Sequence, residues 1–196
     1  MKKLVVLLTL ITAISLPAAV KNGQQAPGFT LTDLSGESVS LSDFSGKTVV
    51  LEWINTGCPF VQKFYREQDM PRFQKQAAEK GVVWISINST KAGHPQYMDA
   101  SASSSWAQSH GHSALWLLDA EGEVGKAYGA RTTPHMFVID ASGKVVYQGA
   151  IDSKADTRPA SISEATNYVM NALTSLEEGT DIEVPQTKPY GCGIKY

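Results

Sequence analysis

The chain has 196 residues, of which 42% are hydrophobic and 18% charged, with a formal net charge of -2. This composition suits one globular domain with a real core and excludes a disordered or fibrous chain. No basic stripe stands out, so nucleic acid is not expected as a partner.

The first segment reads as an export signal. Lys2 and Lys3 are followed by an apolar run over 4–16, broken only by Thr9, Thr12 and Ser15, and then by the small residues Ala18 and Ala19. This is the layout of a secretory signal peptide over residues 1–19. The run is shorter than the roughly 20 residues a membrane span needs. The mature protein is therefore expected to be secreted or periplasmic, with no stable membrane anchor after cleavage. An uncleaved anchor or a buried first strand is the competing reading. Disulfides persist in an oxidising compartment, and the chain has two cysteines, Cys58 and Cys192. They can form one disulfide, or serve as a reactive thiol and its resolving partner.

Residues 30–34 and 38–41 flank Ser35-Gly36-Glu37 and predict a hairpin. The run TVVLEWI at 48–54 predicts a buried central strand. Asn55-Thr56-Gly57 ends it, and Pro59 suits a first helical turn. A helix is expected over 59–80, interrupted near Pro71 and stopped by Gly81. The next strand is 82–88, followed by a loop over 89–95 and a helix over 97–109, weakened by the Ser-rich patch 101–105. A strand over 115–118, a short helix over 123–128, and strands 135–140 and 144–151 around Ala141-Ser142-Gly143 come next. Ile162, Ala165, Val169, Leu173 and Leu176 recur at steps of three and four, which predicts a helix over 161–176. A flexible tail closes the chain, with Pro185, Pro189, Gly191 and Gly193. This order implies an α/β fold with a central mixed β-sheet, helices on both faces and an N-terminal β-hairpin. One domain over 22–180 is expected, with the tail 181–196 carrying Cys192.

Cys58 sits where the central strand meets a helix. If Pro59 is the first helical residue, Cys58 is the N-cap, facing unpaired backbone N–H groups and the positive end of the helix dipole. Both favour a thiolate, the nucleophile of disulfide exchange. Glu52, on the preceding strand, is a candidate proton carrier if buried and an ordinary solvent-facing carboxylate if not.

The segment Trp53-Ile54-Asn55-Thr56-Gly57-Cys58-Pro59-Phe60-Val61 resembles the active-site segment of the thioredoxin superfamily, and more narrowly its peroxiredoxin-like (redoxin) branch with a single cysteine before Pro-Phe-Val. The run from Arg131 to Asp140 (RTTPHMFVID) is similar to the segment of that fold in which a Thr-Pro pair precedes a strand. The ending Gly191-Cys192-Gly193-Ile194-Lys195-Tyr196 resembles the tail of the same branch. The resemblance covers about residues 22–196. It implies a thioredoxin-like fold, a cis Thr133–Pro134 peptide beside Cys58, and thiol–disulfide oxidoreductase activity of antioxidant type with no cofactor. The implied partners are protein or small-molecule thiols and disulfides, with peroxides as a variant. It aligns Cys58 with the attacking cysteine and makes Thr133-Pro134 the substrate-docking edge; Cys192, the other cysteine of the chain, or a partner thiol is expected as resolver, and Trp53, Pro59 and His135 are further candidates on the substrate side. The chain departs from the pattern at Val61, where thioredoxins carry a second cysteine. Leu51 and Asn55 stand where the peroxiredoxin Pro and Thr would be, which counts against peroxidase chemistry.

Two further readings stay open. Cys58 and Cys192 could form a structural staple in a non-catalytic binding module. Copper could be held by Cys58 with His135, or with His110 and His112, although the His110-Gly111-His112 run reads more simply as a surface loop, and no metal site is assigned.

Overall fold

The computed structural model describes residues 19–196, so the expected signal segment lies outside the described residues apart from Ala19. Nine strands and five α-helices follow: β1 (Thr30–Asp33), β2 (Ser38–Ser40), β3 (Val49–Trp53), α1 (Pro59–Arg66), α2 (Asp69–Glu79), β4 (Val83–Asn88), α3 (Ala100–Ser109), β5 (Leu115–Leu118), α4 (Glu123–Tyr128), β6 (Thr132–Thr133), β7 (His135–Ile139), β8 (Val145–Gly149), α5 (Tyr168–Glu178) and β9 (Cys192–Gly193). Seven strands form one mixed sheet in the order β2-β1-β5-β4-β3-β7-β8. Strand β4 runs parallel to β3 and β5, whereas β7 is antiparallel to β3. The expected hairpin and central mixed sheet are both present.

The sheet separates two core layers. All five residues of β3 are buried, as expected of a central strand covered on both faces. Alternation sends Val50 and Ile54 to the layer shared with Phe64, Met70, Ala77, Val169 and Ala172 of α1, α2 and α5. Leu51 and Trp53 go to the opposite layer, with Ile85, Phe137, Val124 and Tyr128. Cys58 belongs to the first layer.

Three boundaries differ from expectation. The break after α1 falls at Gln68, which adopts φ 61°, rather than at Pro71. The Gln68 side chain donates to the carbonyl of Tyr65 at 3.1 Å, which satisfies a carbonyl left open where α1 ends. Pro71 lies in the first turn of α2, where its missing N–H costs nothing. The expected helix over 161–176 is divided into a 3-10 turn, Pro159–Glu164, and α5. Asn167 accepts from the Met170 N–H at 3.0 Å, so a strong N-cap resets the start of the helix. Likewise Asp99 caps α3 through the Ala102 N–H, and the helix begins at Ala100 rather than 97.

The tail is strapped to the body along its length. Thr187 N–H donates to the carbonyl of Gln148 at 3.1 Å, Lys91 N–H to that of Lys195 at 2.9 Å, and Ile194 N–H to that of Arg131 at 3.1 Å. The Tyr196 hydroxyl donates to the carbonyl of Ala130 at 2.8 Å. Residues 192–193 form β9, paired antiparallel to β6. The expectation of a flexible tail is corrected: backbone and side-chain hydrogen bonds along its length plus a short ladder hold it down.

Candidate active site

The turn that delivers Cys58 is built from its own side chains. Asn55 Oδ1 accepts from the Gly57 N–H at 2.9 Å, the local bond that makes Asn a turn residue. The Cys58 N–H then bonds the Asn55 carbonyl at 3.0 Å. Cys58 is the N-cap of α1, with extended backbone at φ -82° and ψ 121°, and Pro59 is the first helical residue. The sulfur is buried: Cys58 is 1% exposed.

Thr133 lies against it. The Cys58 S–H donates to the Thr133 carbonyl at 2.9 Å, and the Thr133–Pro134 peptide is cis. On the β6–β9 ribbon Thr133 pairs with Cys192 and Thr132 with Gly193, which brings the two cysteines together across 134 residues of sequence. Both are free thiols, Cys58 buried and Cys192 partly exposed. The tail reaches this edge through Gly191, at φ 136°; a Cβ there would sit 2.1 Å from the Thr133 carbonyl oxygen. Only glycine fits so close an approach. Gly191→Ala is expected to lift Cys192 off β6 and slow formation of a Cys58–Cys192 disulfide at least about tenfold, by the lost alignment of the reacting sulfurs. Mass spectrometry after timed oxidation would measure it, and an unchanged rate would remove Gly191 from this role.

Two anchors hold the ribbon. The Tyr190 hydroxyl donates to Asp152, and its ring packs on Phe60 of α1 at 5.8 Å. Beneath it Lys63, fully buried, donates to the Lys154 carbonyl at 2.8 Å and lies 3.4 Å from Asp152. Neither Lys63 nor Tyr190 stands out in the sequence. The available signal is a lysine amid the aromatic residues of an amphipathic helix, and a tyrosine next to Gly-Cys-Gly.

The two thiols are driven apart in acidity. Burial pushes the Cys58 thiol up, but hydrogen bonds from the Cys192 thiol, Thr133, the Cys192 N–H and the Val61 N–H outweigh it, and the net pKa lies below the ordinary value. Thr133 Oγ1 is buried and has no other hydrogen-bond partner, so its hydroxyl is available to the sulfur. Cys192 moves the other way. Burial, then hydrogen bonding and repulsion from Cys58, push it up to about 11. One sulfur is prepared to carry negative charge and its neighbour to hold the proton.

Glu52 is buried, not solvent-facing. It accepts from Trp84 Nε1 at 2.9 Å and Ser86 Oγ at 3.0 Å, and Tyr65 donates at 3.3 Å. Burial outweighs these bonds and raises its carboxyl to about 7. Its side chain lies in the same layer as Cys58, because residues 50, 52 and 54 share one face of β3.

Other expected site residues lie elsewhere. Trp53 is fully buried in the opposite layer, packed on Tyr128 and Phe137, and its indole N–H donates to Ser89 at 3.0 Å. It does not line the site, because strand alternation points it away from Cys58. His135 pairs with Trp53 across β3 and β7 and faces the same opposite layer, against Phe137. Burial and the Arg131 charge press its pKa to about 3, so the ring is neutral and cannot stabilise a thiolate as a cation. Pro59 is exposed at the rim, whereas Thr133 and Pro134 are buried. His110 stacks on Trp106 at 4.1 Å. His112 is not a free surface histidine: its Nε2 lies 2.9 Å from Ser86 Oγ, and burial lowers its pKa to about 4. None of the three is brought to Cys58, and no group of three or more metal-ligating side chains occurs among the described residues.

A mixed sheet with helices on both faces, a cysteine capping the first helix and a cis Thr-Pro beside it define a thioredoxin-like protein with a paired-thiol site. Residues 21–168 match the Redoxin family, and the chain belongs to that family. The thiol-disulfide oxidoreductase ResA of Bacillus thuringiensis subsp. konkukian is 30% identical over 128 residues, covering 64% of this chain and 68% of that protein. A conserved protein of Geobacillus kaustophilus, described as uncharacterized, superposes with TM-score 0.79 at 33% identity over 90% of this chain and 92% of that one. A putative thiol:disulfide interchange protein DsbE of Chlorobium tepidum superposes with TM-score 0.54 at 26% identity, over 66% and 85% of the two chains.

Proposed function

We propose that this chain is an exported thiol–disulfide oxidoreductase whose redox centre is the Cys58–Cys192 pair. The observation that carries the reading is the pairing of Cys192 with Thr133, which sets a high-pKa thiol against the low-pKa thiol that caps α1. The cycle alternates between two free thiols and one disulfide. Cys58 is the thiolate that attacks and departs, Cys192 the sulfur it attacks, and Thr133 the residue whose hydroxyl hydrogen-bonds the thiolate. The partners are protein or small-molecule thiols and disulfides, the substrates that the names of its relatives indicate. Peroxide finds no support in those names.

Export is favoured by the Lys2-Lys3 start and the apolar run. Val20, the first buried side chain among the described residues, follows the small residues at which cleavage is expected. No helix among the described residues is long and apolar enough to cross a membrane. The chain recovered from the extracytoplasmic fraction should begin near residue 20, and a cytoplasmic chain of full mass would remove this part of the reading.

Equilibration in glutathione redox buffers tests the centre. A single cooperative transition is expected between two free thiols and one internal disulfide, read by mass after acid quenching. Two independent glutathionylations would argue against a redox pair. Thiolate absorbance of the reduced protein against pH should rise in two equal steps. The first, lowered from the ordinary cysteine value by the hydrogen bonds to the sulfur, is lost in Cys58→Ser, and the second is near 11.

A further inference from the structure

We infer that thiols from outside exchange with the oxidised protein at Cys192, on the tail, and that Cys58 is an internal sulfur that an external nucleophile does not touch. The inference rests on the redox-pair reading above, and concerns which sulfur faces the partner.

A thiolate displaces a sulfur along the S–S axis, approaching from the side opposite the leaving group, so the rate depends on which sulfur can be reached. Attack on Cys58 would have to come from the side away from Cys192. That side is protein: Cys58 is 1% exposed and belongs to the core layer with Ile54, Val61 and Phe64. Attack on Cys192 comes from the side away from Cys58; Cys192 is partly exposed and its neighbour Gly193 is exposed. The edge of Thr132–Thr133 offers no way around, because β9 already occupies it.

Leaving-group chemistry agrees. A lower-pKa thiol departs faster, and of the two sulfurs Cys58 has the lower pKa. Expelled from the disulfide, it finds the Val61 N–H and the Thr133 hydroxyl in place. The full exchange balances as follows. A partner thiolate attacks Cys192 Sγ, the new S–S bond forms as the Cys58–Cys192 bond breaks, and the electron pair remains on Cys58. A second partner thiolate attacks the partner's own sulfur in the mixed disulfide. Cys192 leaves and takes up a proton, two partner thiols have become a disulfide, and the protein disulfide has become two thiols. A disulfide-bearing partner restores the oxidised state by the reverse path. The assignment reverses what the resemblance implies, where the helix-capping cysteine meets the partner and the second one resolves.

Sulfite makes a suitable probe, because its attack leaves a stable S-sulfonate on the sulfur attacked and frees the other as a thiolate. The intact protein, oxidised with diamide, is treated with sulfite, quenched in acid, alkylated with excess iodoacetamide after unfolding, and mapped by mass. S-sulfonate on Cys192 and carbamidomethyl on Cys58 are expected, in excess over the opposite pattern by at least about tenfold. The same reaction in concentrated urea should lose most of this preference, since the fold creates it. S-sulfonate mainly on Cys58, or an equal preference in urea, overturns the inference while leaving the redox pair intact. Failure of diamide to form the disulfide overturns both.

Discussion

Replacing Cys58 with serine is expected to abolish thiol–disulfide exchange, with a loss of turnover of at least about 10³-fold, the scale seen when a reacting group is removed from a concerted site. The fold should survive. The serine hydroxyl can still donate to the Thr133 carbonyl that now accepts from the Cys58 thiol, and it occupies less space in the core layer around Ile54 and Val61. The remaining Cys192 loses its low-pKa neighbour, so half of the thiolate absorbance disappears. Cys192→Ser should be as inactive, with the opposite half retained. Measuring exchange with a protein disulfide alongside the cooperativity of urea unfolding separates chemistry from stability. If Cys58→Ser unfolds at lower urea yet keeps wild-type turnover, the pair is a staple and not a redox centre.

The second large effect is on stability and comes from Glu52. Burial, opposed in part by Trp84, Ser86, Tyr65 and Gln74, raises its carboxyl from 4.5 to about 7. Between those values the folded chain holds a proton that the unfolded chain has released. The contribution of the protonated carboxyl is therefore complete below pH 4.5 and is lost as pH rises through about 7. At roughly 1.4 kcal/mol per unit, the loss is about 3 kcal/mol. Glu52→Gln keeps an acceptor for Trp84 and Ser86 and cannot ionise, so the carboxyl's share of the pH dependence should vanish over the window. His112 and His135, held down to about 4 and about 3 by burial, act in the other direction. They weaken the fold as pH falls below their unfolded values, and do so in both chains. The difference between wild type and Glu52→Gln in urea melts at pH 4.5 and 7 isolates the carboxyl. A difference that does not change with pH would mean that Glu52 is ionised throughout, or protonated throughout.

Much of this site is legible in the residues. Apolar runs bounded by Gly and Pro place the strands, and Cys58-Pro59 at a strand–helix junction announces an N-cap. The positions of Trp53 and His135 are less so, for a definite reason. The run TVVLEWI is apolar on both faces, as a doubly covered strand must be. Its pattern therefore does not tell which face meets α1 and Cys58 and which meets α4. Glu52 is the one charged residue in that run, and it lies on the Cys58 side. The break at Gln68 is hidden because a glutamine in the left-handed region has no sequence signature, whereas the proline nearby is conspicuous and harmless. The docked tail is hidden for another reason. Its Gly and Pro content reads as flexibility, yet Gly191 is there for close approach and Thr187, Tyr190 and Tyr196 are fasteners.

The burial of Cys58 also bears on how long the protein lasts in use. Damage to sulfur runs from sulfenic to irreversible sulfinic and sulfonic acids, and it requires a sulfur that is both ionised and exposed. Here the properties are divided: Cys58 has the acidity without the exposure, and Cys192 the exposure without the acidity. Neither thiol alone meets both conditions for runaway oxidation. On the proposed reading, this division lets the centre pass electrons through many rounds without being consumed by stray oxidants.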